Sequence, residues 1–417
     1  MEYLVRTLDR ELDALLADAP AVAIDGPKGV GKTDTAARRA GQAWFLDDPA
    51  QRELLRADFA LDAIAPQGAV LLDEWQQLPQ VWDSVRRAVD RGAAPGRFLL
   101  TGSATPASAS GTHSGAGRIL SLRMRPMGLH ERGVTHPAVS LAALLTGTAG
   151  ELGSTTEFGL RDYVGAIVSS GFPGTLGMSP RMRRGFLDSY LSRVIDRDLP
   201  DQGYEVRRPE TLRRWLAAYA AASSTTTAYS RLLDATTGGD GAQPAKTTTI
   251  AYRDHLSRLW LLDPVPAWMP ASSPFTALRQ APKHQLADPA LAARLLRLTE
   301  STLLAPEGSV MLGHLFESLV TLGIRIMAQA AEATVGHLRT KAGEHEVDLI
   351  VESVDGGVLG IEVKLAPGVQ DPDVRHLLWL RDQIPDRVVD LAVITTGPAA
   401  YRRPDGVAVI PLALLGA

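Results

Sequence analysis

The feature that most narrows what this chain can fold into is an octapeptide at residues 26–33, GPKGVGKT. It follows an apolar run, AVAI at 21–24, and leads into DTAARRAGQAW at 34–44, which has helical character. The local order is therefore strand, glycine-rich loop, helix. In the pattern G-x-x-x-x-G-K-[ST], glycines let the backbone turn tightly enough for successive N–H groups to wrap an oxyanion. Gly26, Pro27, Lys28, Gly29, Val30, Gly31, Lys32 and Thr33 are thus expected to cradle the phosphates of a nucleotide. Lys32 is placed to reach the terminal phosphates, and Thr33 offers a hydroxyl to Mg²⁺. The N-terminus of the following helix adds partial positive charge on the same side.

About forty residues on, a second apolar run, AVLL at 69–72, ends in Asp73 and Glu74. A carboxylate at the end of a buried strand is costly unless something uses it. In a nucleotide-hydrolysing site Asp73 would hold the Mg²⁺ shell and Glu74 would polarise the attacking water as general base. A further buried strand, RFLLTGS at 97–103, ends in Thr101 and Ser103. Two readings stand for these hydroxyls: sensing the γ-phosphate, or satisfying backbone groups of the loop. The small-residue stretch ATPASASGTHSGAG at 104–117 is expected to be mobile. Arg118, which closes it, acts on a γ-phosphate in cis or in trans, or is a surface charge.

Bulk properties set limits without naming a function. A length of 417 residues predicts two or three domains. With 43 Lys and Arg against 47 Asp and Glu there is no global basic footprint, so any nucleic-acid surface is local. The absence of cysteine excludes disulfides, thiolate zinc sites and cysteine nucleophiles. The N-terminal MEYLVRTLDRELDALL is charged and amphipathic, with Leu8, Leu12, Leu15 and Leu16 on one helical face. No apolar run approaches the ~20 residues of a membrane span, which leads us to expect a soluble cytoplasmic protein.

The runs GPKGVGKT, LLDEWQQLP, RFLLTGSATP, AGRI, SSGFP and YLSRVIDRDL, taken in order, resemble bacterial and archaeal AAA-type ATPases that carry a C-terminal domain of unknown function. The likeness extends over nearly the whole chain through KHQLADPAL, HLFESLV, HEVDLIV and IEVK. In that family the last part is similar to PD-(D/E)XK nucleases. The resemblance implies nucleotide and Mg²⁺ binding at Lys32 and Thr33, a second acidic motif at Asp73 and Glu74, and a sensor strand at Thr101. It also implies a homo-oligomer, and a winged-helix-like element in TTTIAYRDHLSRLWLLDPVPAW (247–268). This middle region is rich in arginine, which either touches DNA or coats a packing helix. The insertion TTGGDGAQPAK (236–246) disturbs the family's spacing just before the presumed recognition helix.

The expected fold is α/β: a P-loop AAA-type three-layer module (1–178), a helical, winged-helix-like middle (179–304) and a nuclease-like α/β domain (305–417). The stretches GFPG (171–174) and LLAPEGSVML (303–312) mark looser composition at the boundaries. A kinase-type P-loop module is disfavoured by the paired acids, because a phosphotransferase must exclude a water-activating base.

In the last domain the candidate residues are Glu317, Asp348, Glu362 and Lys364. Alternation along HEVDLIV puts Glu346, Asp348 and Ile350 on one face and Val347, Leu349 and Val351 on the other. If residues 355–357, DGG, form the turn, Asp348 stands opposite Lys364 and diagonal to Glu362. Asp348 and Glu362 would then bind Mg²⁺, with Lys364 steadying charge. Glu317, the lone carboxylate of an apolar helix, would complete the site. The function expected is Mg²⁺-dependent ATP hydrolysis coupled to a module that acts on or binds DNA. The alternative is a nucleotide-gated switch for a protein partner or DNA, with a catalytically inactive nuclease-like domain.

Overall fold

The computed structural model describes residues 3–57, 68–103, 116–236, 244–269, 281–340 and 343–417. Helix α1 (Thr7–Asp18) buries Leu8 and Leu12 and feeds β1 (Ala21–Asp25). After the glycine-rich loop, α2 (Lys32–Ala37) ends well short of the expected Trp44. Beyond Gly41 the residues Ala43, Trp44 and Phe45 suit a pleated surface, and they enter β2 (Gln42–Phe45) instead. There follow α3 (Pro49–Ala57), β3 (Val70–Asp73), α4 (Gln80–Asp90), β4 (Phe98–Gly102) and β5 (Leu120–Arg123).

These five strands form one parallel sheet in the order β2-β3-β4-β1-β5. Side-chain alternation decides the layers. Val22, Ile24, Leu71 and Leu99 pack with Leu8 and Leu12 of α1 and Ala36 of α2. Ala21, Ala23, Val70, Leu72, Phe98 and Leu100 pack with Leu55 of α3 and Val81, Val85 and Ala88 of α4. The first module is accordingly three-layered. All its strands point the same way, so the glycine-rich loop, Asp73 and Thr101 leave one edge of the sheet, and β4 between β1 and β3 puts Thr101 in the middle.

The middle of the chain holds β6 (Val139–Ser140), α5 (Leu141–Leu145), α6 (Leu160–Ser169), α7 (Pro180–Arg193), a π-helical turn at Val194–Asp198, α8 (Pro209–Ala221), α9 (Tyr229–Thr236), α10 (Lys246–Arg258), α11 (Pro289–Leu295) and α12 (Glu300–Leu304). Trp215 and Tyr219 of α8 are fully buried and stack at 5.4 Å. In the stretch expected to be winged-helix-like, α10 is followed by extended segments that meet in two antiparallel bridges, Leu262 with Leu286 and Val265 with Lys283. Most of the insertion at 236–246 (residues 237–243) and most of the stretch expected to be mobile (residues 104–115) lie outside the described residues. The GFPG stretch loosens the composition and not the packing. Gly171 donates to Asp288 (2.6 Å) and accepts from Met127 N (2.7 Å), and a Cβ there would stand 2.3 Å from the Met127 carbonyl oxygen.

The last part opens with α13 (Ser309–Ala330), then β7 (Thr334–Arg339), β8 (Glu346–Glu352), β9 (Val358–Val363), α14 (Asp371–Gln383), β10 (Val388–Thr395), β11 (Tyr401–Arg402), β12 (Ala408–Pro411) and β13 (Leu415–Gly416). Six of these strands form a mixed sheet, β11-β12-β10-β9-β8-β7. Leu349, Val351, Leu359, Ile361 and Ile394 share a core with α13. Ile350, Leu391 and Val393 pack with Val374, Leu377 and Leu380 of α14. The expectation that no apolar run approaches a span's length fails for Pro306–Ala330, which is long and apolar enough by composition. Leu315, Phe316, Leu319, Val320 and Ile324 of that helix are nonetheless buried within the chain, so its apolar character serves the core.

Two details of the β8–β9 hairpin differ from expectation. The loop is residues 353–357, because Ser353 N donates to Gly357 O (2.9 Å) and Gly357 N donates to Ser353 Oγ (3.1 Å). Leu349 therefore pairs with Ile361, which brings Asp348 opposite Glu362 rather than Lys364. A shift of two residues keeps the parity of the faces. The strict alternation over 346–351 is broken, however. Gly336 pairs with Ile350 and Leu338 with Val347, so β8 carries an extra residue against β7, a bulge. Val347 joins Ile350 in the core with α14, while Leu349 and Val351 turn to α13.

The chain does not divide cleanly. A single buried cluster runs from Leu12 and Val22 through Trp215 to Phe316, Leu349 and Leu415. β13 pairs in parallel with β6, and Ala413 N donates to the Tyr163 hydroxyl (3.0 Å).

Candidate functional site

The glycine-rich loop is shaped by its glycines for specific reasons. A Cβ on Gly26 would lie 2.1 Å from the Met124 carbonyl oxygen, and Gly31 sits at φ +101°, a left-handed conformation open to glycine. Lys32 is 5% exposed, and its Nζ donates to Gly26 O and Pro27 O, each at 2.9 Å. An ammonium has three N–H groups, so one donor is left unused among the described residues. Burial pulls the Lys32 ammonium down to about 8, against the opposing pull of Glu74, Asp73 and Asp25. Asp25, at the end of β1, is pushed up to about 6 by burial, partly offset by Lys32.

Thr33, Asp73 and Thr101 come together from three elements. Thr33 Oγ1 donates to Asp73 Oδ1 (2.7 Å), and Thr101 Oγ1 donates to the same oxygen. Thr101 also accepts from Glu74 N (3.3 Å), so it ties the acidic end of β3 to the end of β4. Glu74 has φ +51°, an uncommon conformation for a residue with a side chain and one that concentrates at functional sites. Its Oε2 accepts from Ser103 Oγ (2.9 Å) and from Gln76 Nε2. These residues fit ATP and Mg²⁺: a spare ammonium donor faces the loop, and a hydroxyl and a carboxylate stand side by side at its mouth.

Around this core the chain supplies supports that sequence reasoning missed. Buried Arg6 donates to Val30 O (3.0 Å) inside the loop and pairs with Glu131 (3.2 Å). Lys28 Nζ donates to Asp198 Oδ1 (2.6 Å) on the π-helical turn, joining the loop to the helical middle. A cavity of about 560 Å³, lined by Tyr3, Arg38, Met124, Pro173 and Leu176, opens beside Val30 and Gly31. Arg118 is not part of the assembly within one chain. It pairs with Asp90 (2.6 Å) at the end of α4 and precedes the N-terminal end of β5, on the sheet edge opposite the loop.

Glu317, Asp348, Glu362 and Lys364 do meet, in a cleft of about 450 Å³. An unexpected residue stands among them. Lys283, its side chain 2% exposed, donates to Asp348 Oδ1 (2.8 Å) and Glu317 Oε1 (2.9 Å) and lies 3.6 Å from Glu346 Oε1. Asp348 Oδ2 accepts from Val363 N (2.9 Å), and Glu362 Oε1 accepts from Lys364 Nζ (3.0 Å). Burial would lower the Lys283 ammonium, but Asp348, Glu317 and Glu346 together raise it above its ordinary value. Burial would raise Asp348, and Lys283 overrides it and holds Asp348 low. Glu362 is pushed up to about 8 by burial and then by Asp348. Glu317 is likewise pushed up to about 8 by burial, with the charges of Asp348 and Glu346 adding to it against the opposing pull of Lys283. Among the described residues no group of three or more His, Cys, Asp or Glu is arranged to hold a metal ion. The expected Mg²⁺ ligands Asp348 and Glu362 stand opposite each other on β8 and β9, with the Lys283 ammonium on the first and the Lys364 ammonium on the second.

Between the two sites lies a buried carboxylate, Asp263, bound by Arg325 (2.7 Å), Arg125 (2.8 Å) and Arg123 (3.0 Å). Burial would raise it, but the three guanidiniums hold it far below the usual carboxylate range. Arg123 ends β5 beside Asp25, and Arg325 belongs to α13, so this cluster bridges the first module and the last.

Comparison with known proteins divides the chain in three. Residues 18–132 match the profile of an AAA domain, and the first module is a P-loop module of that type. Residues 160–302 and 312–415 match two domains of unknown function, DUF8612 and DUF4143. The uncharacterized proteins Mb2031c of Mycobacterium bovis and Rv2008c of Mycobacterium tuberculosis are each 26% identical over 403 residues, covering 94% of this chain and 80% of the relative. The Walker-type ATPase PABY2304 of Pyrococcus abyssi aligns with a TM-score of 0.41 at 14% identity, over 69% of this chain and 94% of that one.

Proposed function

We propose that the chain binds ATP with Mg²⁺ at residues 26–33 and hydrolyses it, and that the nucleotide state gates the C-terminal cleft. The observation that carries this reading is the convergence of the Thr33 and Thr101 hydroxyls on Asp73 Oδ1, with Glu74 N held in turn by Thr101, at the mouth of a loop whose Lys32 has a donor to spare. Bound Mg²⁺ would neutralise phosphate charge, with Thr33 and Asp73 holding its shell. Lys32 binds the phosphate oxygens, and Thr101 fixes the orientation of Asp73. Glu74, held by Ser103 and Gln76, takes the proton of the attacking water. Glu74→Gln should bind a fluorescent ATP analogue as the parent does and release phosphate at least about a hundredfold more slowly. Lys32→Ala should lose binding. A Glu74→Gln protein that turns over at the parental rate would remove Glu74 from its role.

A second reading, nuclease action by the last domain, rests on the meeting of Glu317, Asp348, Glu362 and Lys364 in one cleft, and it requires Lys283 to leave Asp348 before a divalent ion could bind there. The purified chain, incubated with single-stranded, duplex and branched DNA plus Mg²⁺ or Mn²⁺, tests it, with Asp348→Ala as control. Stimulation of ATP turnover by DNA separates a DNA-directed machine from a switch serving a protein partner. Both readings draw on ATP and so suit a protein that works in the cytoplasm, and assembly into a homo-oligomer would let Arg118 reach a neighbour's nucleotide.

A further inference from the structure

The cleft of the last domain is built from acids, yet a buried ammonium already stands among them. Lys283 Nζ stands 2.8 Å from Asp348 Oδ1 and 2.9 Å from Glu317 Oε1, which is the spacing of N–H···O hydrogen bonds. A divalent ion bound by those same two oxygens would need distances of roughly 2.0–2.6 Å. Since both oxygens are directed at one nitrogen, such an ion would fall on the ammonium itself. The other oxygen of Asp348 is taken by Val363 N and Lys364 donates to Glu362 Oε1, which leaves Glu362 Oε2 as the buried carboxylate oxygen of this cluster without a partner among the described residues. Two lysines therefore supply the two positive charges that one divalent ion would bring.

Nor is Lys283 free to swing aside. Its backbone exchanges two hydrogen bonds with Val265, each 2.9 Å, and the next residues are fastened by His284 N to Thr225 O and Asp263 N to Gln285 O. The side chain is enclosed. A buried ammonium is tolerated only where carboxylates repay its lost hydration, and the converse holds for the acids. We propose that the Lys283 ammonium is the resident cation of this acidic cluster, so that the last domain binds no divalent metal ion at Asp348 and Glu362. This stands independently of ATP hydrolysis in the first module.

The test titrates Mn²⁺ into nucleotide-free full-length protein and follows free Mn²⁺ by electron paramagnetic resonance. All proteins carry Asp73→Asn, so that the first module contributes nothing. The parent and Asp348→Asn should bind Mn²⁺ alike. Lys283→Met should gain an equivalent of bound Mn²⁺ that is lost again in Lys283→Met/Asp348→Asn. Bound Mn²⁺ in the parent that Asp348→Asn or Glu362→Gln abolishes would overturn the proposal. So would a Lys283→Met protein, folded by circular dichroism, that gains none. If Lys283→Met does not fold, the comparison of the parent with Asp348→Asn and Glu362→Gln decides alone.

Discussion

Lys32 and Lys283 are both buried lysines, and their surroundings drive them in opposite directions. Lys283 is surrounded by carboxylates close enough to outweigh desolvation, and it stays charged. Lys32 bonds to carbonyl oxygens only, and burial wins, so its ammonium titrates near 8. A nucleotide's phosphates need the charged form and would raise its pKa on binding. Above about pH 8 complex formation must take up a proton, and affinity must fall as pH rises, by up to about tenfold per unit. Below that, the charge on Lys32 is already present and this contribution is flat. The dissociation constant of a fluorescent ATP analogue measured from pH 7 to pH 9.5 checks this, and an affinity unchanged above pH 8 would contradict it.

At the scale of elements, the glycine-rich loop was legible as a strand–loop–helix turn because its determinants lie within eight consecutive residues flanked by their own strand and helix. Asp73 and Thr101 were legible as polar ends of apolar strands, although their contact spans 28 residues. The C-terminal cluster was legible only in part. Ser353 and Val354 read as strand, and only the backbone bond from Ser353 to Gly357 reveals the longer loop. The bulge in β8 leaves no mark in its seven residues, EVDLIVE, which carry neither glycine nor proline. Lys283 is 65 residues from Asp348 and belongs to neither strand nor helix. Its one signal was that it opens KHQLADPAL, one of the runs that carry the family resemblance, with no partner named for its charge.

The hairpin's pairing of Asp348 with Glu362 carries a pH prediction. The folded-state pKa of Glu362 is raised, so its contribution to stability is fully present below the ordinary carboxyl value of 4.5 and is lost as pH rises through about 8. The thermal midpoint of the chain should therefore decline over that window. Glu362→Gln should lessen the decline without abolishing it, since Glu317 is shifted the same way. Equal slopes for parent and variant in calorimetric scans would refute the assignment.

Across the whole molecule, Asp263 is the point where β5, the extended segment beside Lys283 and α13 are joined by charge. Removing it leaves three arginines gathered around nothing. Asp263→Ala should cost about 3–5 kcal/mol, as expected for breaking a buried ionic cluster. Urea unfolding followed by tryptophan fluorescence reads this, and because one core runs through all three parts the loss should appear in a single transition. A variant as stable as the parent would mean that the cluster is solvated. The pairing of β13 with β6 has a consequence in time. A ribosome adds about 5–20 residues per second, so Val139 and Tyr163 emerge on the order of tens of seconds before Leu415 and Ala413 arrive to cover them. For that interval the nascent chain offers an open strand edge and an apolar face, and it is then that a chaperone has most to bind.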